Sequence, residues 1–201
     1  MAYNKFTFKQ VLKEFNLTFK EVQGLFADAP EAQPTKYLQE LLPDYEALAT
    51  AINTEKAKSE LLIAPILLDV RRQLNNQISF FSGVEFDVDK ERGLNGFCDF
   101  IIAQSPIQQF VSAPVVAIAE AKNDNPQNGF GQCVAEMVAA QIFNEREGTP
   151  RAAIYGVSTT GVAWRFLKLE GRQLLIDRSD YYIAELEKIL GILIYITGHE
   201  G

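Results

Sequence analysis

The sequence predicts a single α/β domain with a mixed central β-sheet flanked by helices. Three observations carry this. The apolar spacing changes near residue 78, from threes and fours to a partial alternation. An apolar strand at 115–122 is followed by a helical stretch and then another strand, an order that requires a crossover and some parallel pairing. The chain has 201 residues, 47% hydrophobic and 22% charged. That suffices for one substantial core and is cramped for two.

Residues 4–26 read as a strand or turn followed by a short helix, with a break around 16–18. Residues 28–34 are rich in Ala and Pro and read as loop. A short helix then begins at Pro34 or Thr35 and is expected to be interrupted near Pro43. Asn53 and Thr54 can cap the next helix, EKAKSELLIAPILLDVRRQL. Its apolar residues form one broad stripe, and Pro65 should kink or interrupt it.

Residues 78–88 (ISFFSGVEFDV) and 96–104 (GFCDFIIAQ) read as a β-hairpin closed by a polar turn. Residues 115–122 (VVAIAEAK) form the third strand, apolar on both faces until its polar end, as a central strand should be. After a loop, 131–146 is a helix. Residues 152–158 and 162–170 are two more strands, and RQLLIDRS is a short edge strand. Residues 185–198 close the chain as a helix more apolar than one face needs, suited to a buried position or a dimer interface. The expected organisation is a helical extension over 1–52, a core over 53–170, and an edge strand and helix over 171–201.

The formal net charge is -7. This argues against a broad nucleic-acid-coating surface but leaves room for a local basic groove or for carboxylates that hold cations. The sole histidine is His199, which disfavours imidazole-based acid–base chemistry and a histidine zinc site. Cys98 and Cys133 form no CxxC and no Cys/His cluster, and read as reduced thiols in a cytoplasmic protein. No leader-like apolar stretch follows the N-terminal charges, and no apolar run is long enough to span a bilayer, so no membrane association is expected.

The stretch with chemistry in it is GFCDFII followed by VVAIAEAKNDN. Alternation sets Asp99 opposite Cys98 and Phe100, and points Glu120 and Lys122 the same way. Ala119 and Ala121 face the other side, small enough to pack under a helix. If the two strands are neighbours, Asp99 and Glu120 can share one divalent cation, with Lys122 beside it and the Ala121 carbonyl as an extra ligand. Hard cations take oxygen ligands of this kind. A cation with an adjacent ammonium suits phosphodiester hydrolysis, where charge stabilisation and alignment carry most of the rate. The plain alternative for Glu120 and Lys122 is a solvated strand end with a salt bridge, and for Asp99 an ordinary surface position on a hairpin.

Asp99 with Glu120-Ala121-Lys122, after an acidic helix and before a crossover helix, resembles the PD-(D/E)XK, or restriction-endonuclease-like, nuclease superfamily. The resemblance covers roughly residues 55 to 170, and Cys98 stands where a proline is common. It implies a four-stranded mixed sheet flanked by helices, with magnesium or manganese held by the acidic pair and the lysine assisting hydrolysis. It further implies a metal-binding glutamate on the first core helix, matched by Glu60. A Q-x-x-x-E pattern on the crossover helix is matched by Gln132 and Glu136, candidate accessory residues that share a helix face. The resemblance implies a magnesium- or manganese-dependent deoxyribonuclease, with DNA as the expected substrate and a homodimer as the expected assembly. The rival of a different class is a catalytically inactive nuclease-fold protein that serves as a binding or assembly partner; a weaker one is a hydrolase of small phosphate esters.

Overall fold

The apolar run expected to be central is central. It forms β4 (Val115–Ala121), buried along its whole length. On one side it pairs antiparallel with β3 (Phe97–Ala103), which pairs antiparallel with β2 (Ser79–Glu85). On the other side it pairs parallel with β5 (Ile154–Thr159), reached through the crossover helix α5 (Phe130–Arg146). The computed structural model describes residues 2–198, so His199 lies outside the described residues.

The sheet continues through β6 (Ala163–Glu170) and β7 (Gln173–Asp177), both antiparallel to their predecessors. Two residues sequence reading missed, Tyr181–Tyr182, form β8 against the start of β6. The segment RQLLIDRS is not an edge. Beyond β7 lies β1 (Thr18–Val22), parallel to it, giving the order β1-β7-β6-β5-β4-β3-β2. The result is an α/β fold with a mixed eight-stranded sheet flanked by helices, described over residues 2–198.

Residues 4–26 begin as expected, with a turn and then a short helix, but the break around 16–18 opens into a strand that was not expected. A 3-10 turn at Tyr3–Lys5 leads into α1 (Phe8–Glu14), which starts at a Thr7–Gln10 capping box. Asn16, at φ 51°, turns the chain out of the helix, and the strand follows. Thr18–Lys20 and Glu21 are exposed, so β1 has no buried face to print an alternation into the sequence.

Helix α2 (Lys36–Ile52) runs through Pro43 without the expected interruption. Pro43 and Gln39, whose carbonyl loses its helical partner, both stand on the exposed side, where that carbonyl is open to solvent. The Thr35 side chain, which could cap α2, is committed to Asp69 instead. Asp69 is buried, accepts from Thr35 and Gln73, and ties the start of α2 to the next helix. That helix begins as α3 (Glu55–Lys58), capped by Thr54 as expected. It widens into a π turn at Ser59–Ile63 and continues as α4 (Ala64–Gln73). Pro65 explains the widening. It has no N–H to give the carbonyl four residues back, and the wider turn absorbs its ring without breaking the helix.

One face of the sheet is covered by α2, α4 and α6 (Leu186–Gly198). Leu190, Ile192 and Leu193 of α6 are fully buried in this layer, so the apolar C-terminal helix is core within the chain. The other face is covered by α5 and α1. A Cβ at Gly131 would stand 2.2 Å from the Phe6 carbonyl oxygen, so glycine is what lets α5 touch the backbone leading into α1. The open edge of β2 is met by a side chain: Phe80 N–H donates to Gln108 Oε1 at 3.1 Å, and Gln108 Nε2 donates back to the Phe80 carbonyl at 2.5 Å. No helix among the described residues is long and apolar enough to cross a membrane.

Candidate active site

Strands β3 and β4 are neighbours, and the register that sets Phe100 opposite Ala119 brings Asp99 level with Glu120. Strict alternation fails at this point. Cys98 packs into the α5 layer and Phe100 into the opposite one. Between their partners on β2, Val84 and Ser82, sits Gly83 at φ 63°, a conformation that favours glycine. The irregularity leaves Asp99 half-buried at the rim, where its Oδ2 accepts the Ala121 N–H at 2.9 Å.

Glu120 points into the α5 side of the sheet, in step with Ile118, and is 1% exposed. Its Oε1 pairs with the Lys122 ammonium, and its Oε2 has no partner. Burial pushes the Glu120 carboxyl well above its ordinary range. The charges of Glu136 and Asp99 push it further, and Lys122 opposes them. Burial works against the Lys122 charge, yet the adjacent Glu120 outweighs it, so the ammonium is held above its ordinary value.

The two accessory candidates join this group. Gln132 Nε2 donates to Glu136 Oε1 at 3.0 Å, one helical turn apart on α5. Glu136 is completely buried beside the Cys98 thiol, and its Oε2 is without a partner. Burial pushes its carboxyl up to about 8, against the help of Gln132.

A sign follows for stability. The folded state keeps a proton on Glu136 up to a pH near 8, while the unfolded chain gives it up near the ordinary value of about 4.3. This residue's contribution is therefore fully present below about pH 4.3 and is lost as pH rises toward 8. Glu136→Gln should flatten the decline between pH 5 and pH 8 and be the more stable protein at pH 8. Urea unfolding at both pH values checks this, and an unchanged decline would refute it.

Glu60 lies elsewhere. It is exposed and pairs with Lys56 at 2.7 Å. It lines a cleft of about 240 Å³ together with Glu55, Ser59, Ser82, Asp99 and Ala121. Lys58 reaches from α3 to the Asn123 carbonyl at 2.8 Å, linking this helix to the loop after β4. The structure thus gathers Glu120, Lys122, Gln132 and Glu136, sets Asp99 at their edge, and leaves Glu60 across the cleft. Trp164 is fully buried and donates to the Gly161 carbonyl, as a core residue would.

Sequence reasoning missed Ser158 and Gly129. Ser158 stands opposite Glu120 on β5 and donates to the Pro126 carbonyl at 2.5 Å. Gly129 closes over both. A Cβ there would lie 2.3 Å from Ser158 Oγ and 3.1 Å from Glu120 Cγ. The only trace in sequence is a glycine in the loop before the crossover helix.

Among the described residues no group of three His, Cys, Asp or Glu side chains is arranged to hold a metal ion. Asp99 is turned to a backbone amide and half of Glu120 to Lys122. The donor chemistry nonetheless suits a hard cation, because buried carboxylate oxygen is left over: Glu120 Oε2 has nothing to bond. Glu120 is the side chain whose open oxygen would hold the ion, with Asp99 level with it on the adjacent strand. Compared with known proteins, the chain matches no family model and no curated protein.

Proposed function

We propose that the chain is a divalent-cation-dependent phosphodiester hydrolase acting on DNA, of the PD-(D/E)XK type, working as a homodimer in the cytoplasm. The observation that carries this reading is Glu120: buried, with one oxygen free, paired with Lys122 two residues on and level with Asp99 on the adjacent strand. The sheet segment β2-β3-β4-β5, with two antiparallel pairings and one parallel, suits the four-stranded mixed sheet that the resemblance calls for. It is flanked by α4 on one face and α5 on the other.

Magnesium or manganese, when bound, supplies positive charge to the phosphoryl oxygens and acidifies a water. The chain's own groups do the positioning. Lys122 Nζ, on a flexible stem and only partly covered, can orient an attacking water and place charge against the phosphoryl group. Glu120 holds that ammonium in place. Gly129 keeps the roof low enough to exclude bulk water from Ser158 and Glu120.

The inactive-partner reading draws support from one contact. One oxygen of Asp99 is taken up by the Ala121 amide. The test is cleavage of single-stranded, double-stranded and branched DNA by purified protein with magnesium or manganese. Cleavage that chelator abolishes is the expected result. Folded protein that cuts none of these substrates and binds no metal would remove the nuclease reading.

A further inference from the structure

We infer that Glu136, together with Glu120, holds the cation of this site, and that Glu60 does not. The inference rests on the nuclease reading for its purpose, though not for its geometry. Two carboxylate oxygens in the α5 layer are buried without any partner, Glu120 Oε2 and Glu136 Oε2. Their residues are 1% and 0% exposed. They sit on different elements, β4 and α5, which pack directly against one another.

A buried carboxylate with a free oxygen needs a cation or a proton. The Lys122 ammonium is bonded to the other oxygen of Glu120. Gln132 holds the other oxygen of Glu136, the kind of orienting contact that fixes a metal-binding side chain. Magnesium keeps several of its waters and is commonly held by only one or two carboxylates. A two-glutamate site therefore needs no third side chain, in keeping with the described residues offering no group of three.

Glu60 fails on position. Its cleft is lined by Ala121, and Ala121 packs into the layer opposite the one that receives Glu120. Glu60 is mostly exposed and its charge is already met by Lys56.

The experiment is manganese binding measured by titration calorimetry on the whole chain, with Glu136→Gln and Glu60→Gln beside wild type. Glu136→Gln should weaken binding by about tenfold or more, and Glu60→Gln should leave it within about twofold, as expected for an exposed, already paired group. Thermal unfolding without metal verifies that both variants fold. Manganese anomalous scattering from wild-type crystals gives the position without any variant, and the ion is expected against both Glu120 and Glu136. Unchanged affinity in Glu136→Gln, or an ion beside Glu60, overturns the inference, and DNA cleavage under the same conditions would keep the nuclease reading. An ion found at Glu120 and Glu136 in a protein that cuts no DNA upholds this site and removes that reading instead.

Discussion

Lys122→Ala should reduce metal-dependent DNA cleavage by about 10²–10³-fold, the range seen when one preorganised charge-stabilising group is removed from an active site. The variant has a second consequence, because Lys122 is also the partner of a buried carboxylate. Breaking such a pair from one side costs about 3–5 kcal/mol when the remaining charge stays. Glu120 can escape that cost by keeping a proton, which burial and its acidic neighbours already favour. With Lys122 gone, the folded state would hold that proton at pH values where the unfolded chain has released it. The destabilisation should therefore be mild near pH 5 and grow as pH rises.

The pair can be separated from the chemistry. Lys122→Ala combined with Glu120→Gln should recover much of the lost stability and none of the cleavage. Lys122→Arg should restore the ion pair more than the activity, since guanidinium is planar, larger and differently hydrated. Cleavage retained within a few-fold in Lys122→Ala, in protein shown to be folded, would end the role assigned to this lysine.

Trp164→Ala should cost about 3–5 kcal/mol of folding free energy, the usual range for truncating a large buried aromatic. Trp164 is among the largest fully buried side chains of the core, and its indole N–H holds the Gly161 carbonyl at 2.9 Å. It lies opposite Thr159 on β5 and Tyr181 on β8. The same turn receives the Lys122 backbone, whose N–H donates to the Thr159 carbonyl at 2.8 Å. The lost packing should thus loosen the segment that carries Lys122. Since Trp164 is the only tryptophan, unfolding must be followed by circular dichroism rather than by its fluorescence. Trp164→Phe should cost less, as it keeps ring volume and loses the hydrogen bond. A loss below about 1 kcal/mol in the alanine variant would mean that the core refills the space.

The sequence reveals elements where burial repeats and hides them where it does not. The run VVAIAEA announces β4 because both of its faces are covered, and a glutamate inside such a run demands a reason. Strand β1 is hidden because its residues TFKEV are almost all exposed, so its pairing with β7 rests on backbone bonds that have no side-chain signature. The course of α2 through Pro43 depends on which side of the helix faces water, which follows only from tertiary packing. Pro65 was legible as a disturbance, but not as a π turn.

At the site, the spacing of Glu120 and Lys122 sufficed to place them together, and the i, i+4 spacing did the same for Gln132 and Glu136. Asp99 obeyed no alternation because Gly83, on the partner strand, disturbs the pairing there. Ser158 reaches the site only through the parallel pairing of β4 with β5, a long-range register that a single sequence does not encode locally.

The amide of Gln108 gives the β2 margin of the sheet a property of its own. An unpaired strand is a template, and chain after chain can add to it when its rungs are free. At Phe80 one side-chain amide supplies both the donor and the acceptor that an incoming backbone would offer. It behaves as a terminator in a polymerisation: it satisfies the growing end and offers no further strand to copy. The loop that carries Gln108 thus closes the rung at Phe80 to an incoming strand.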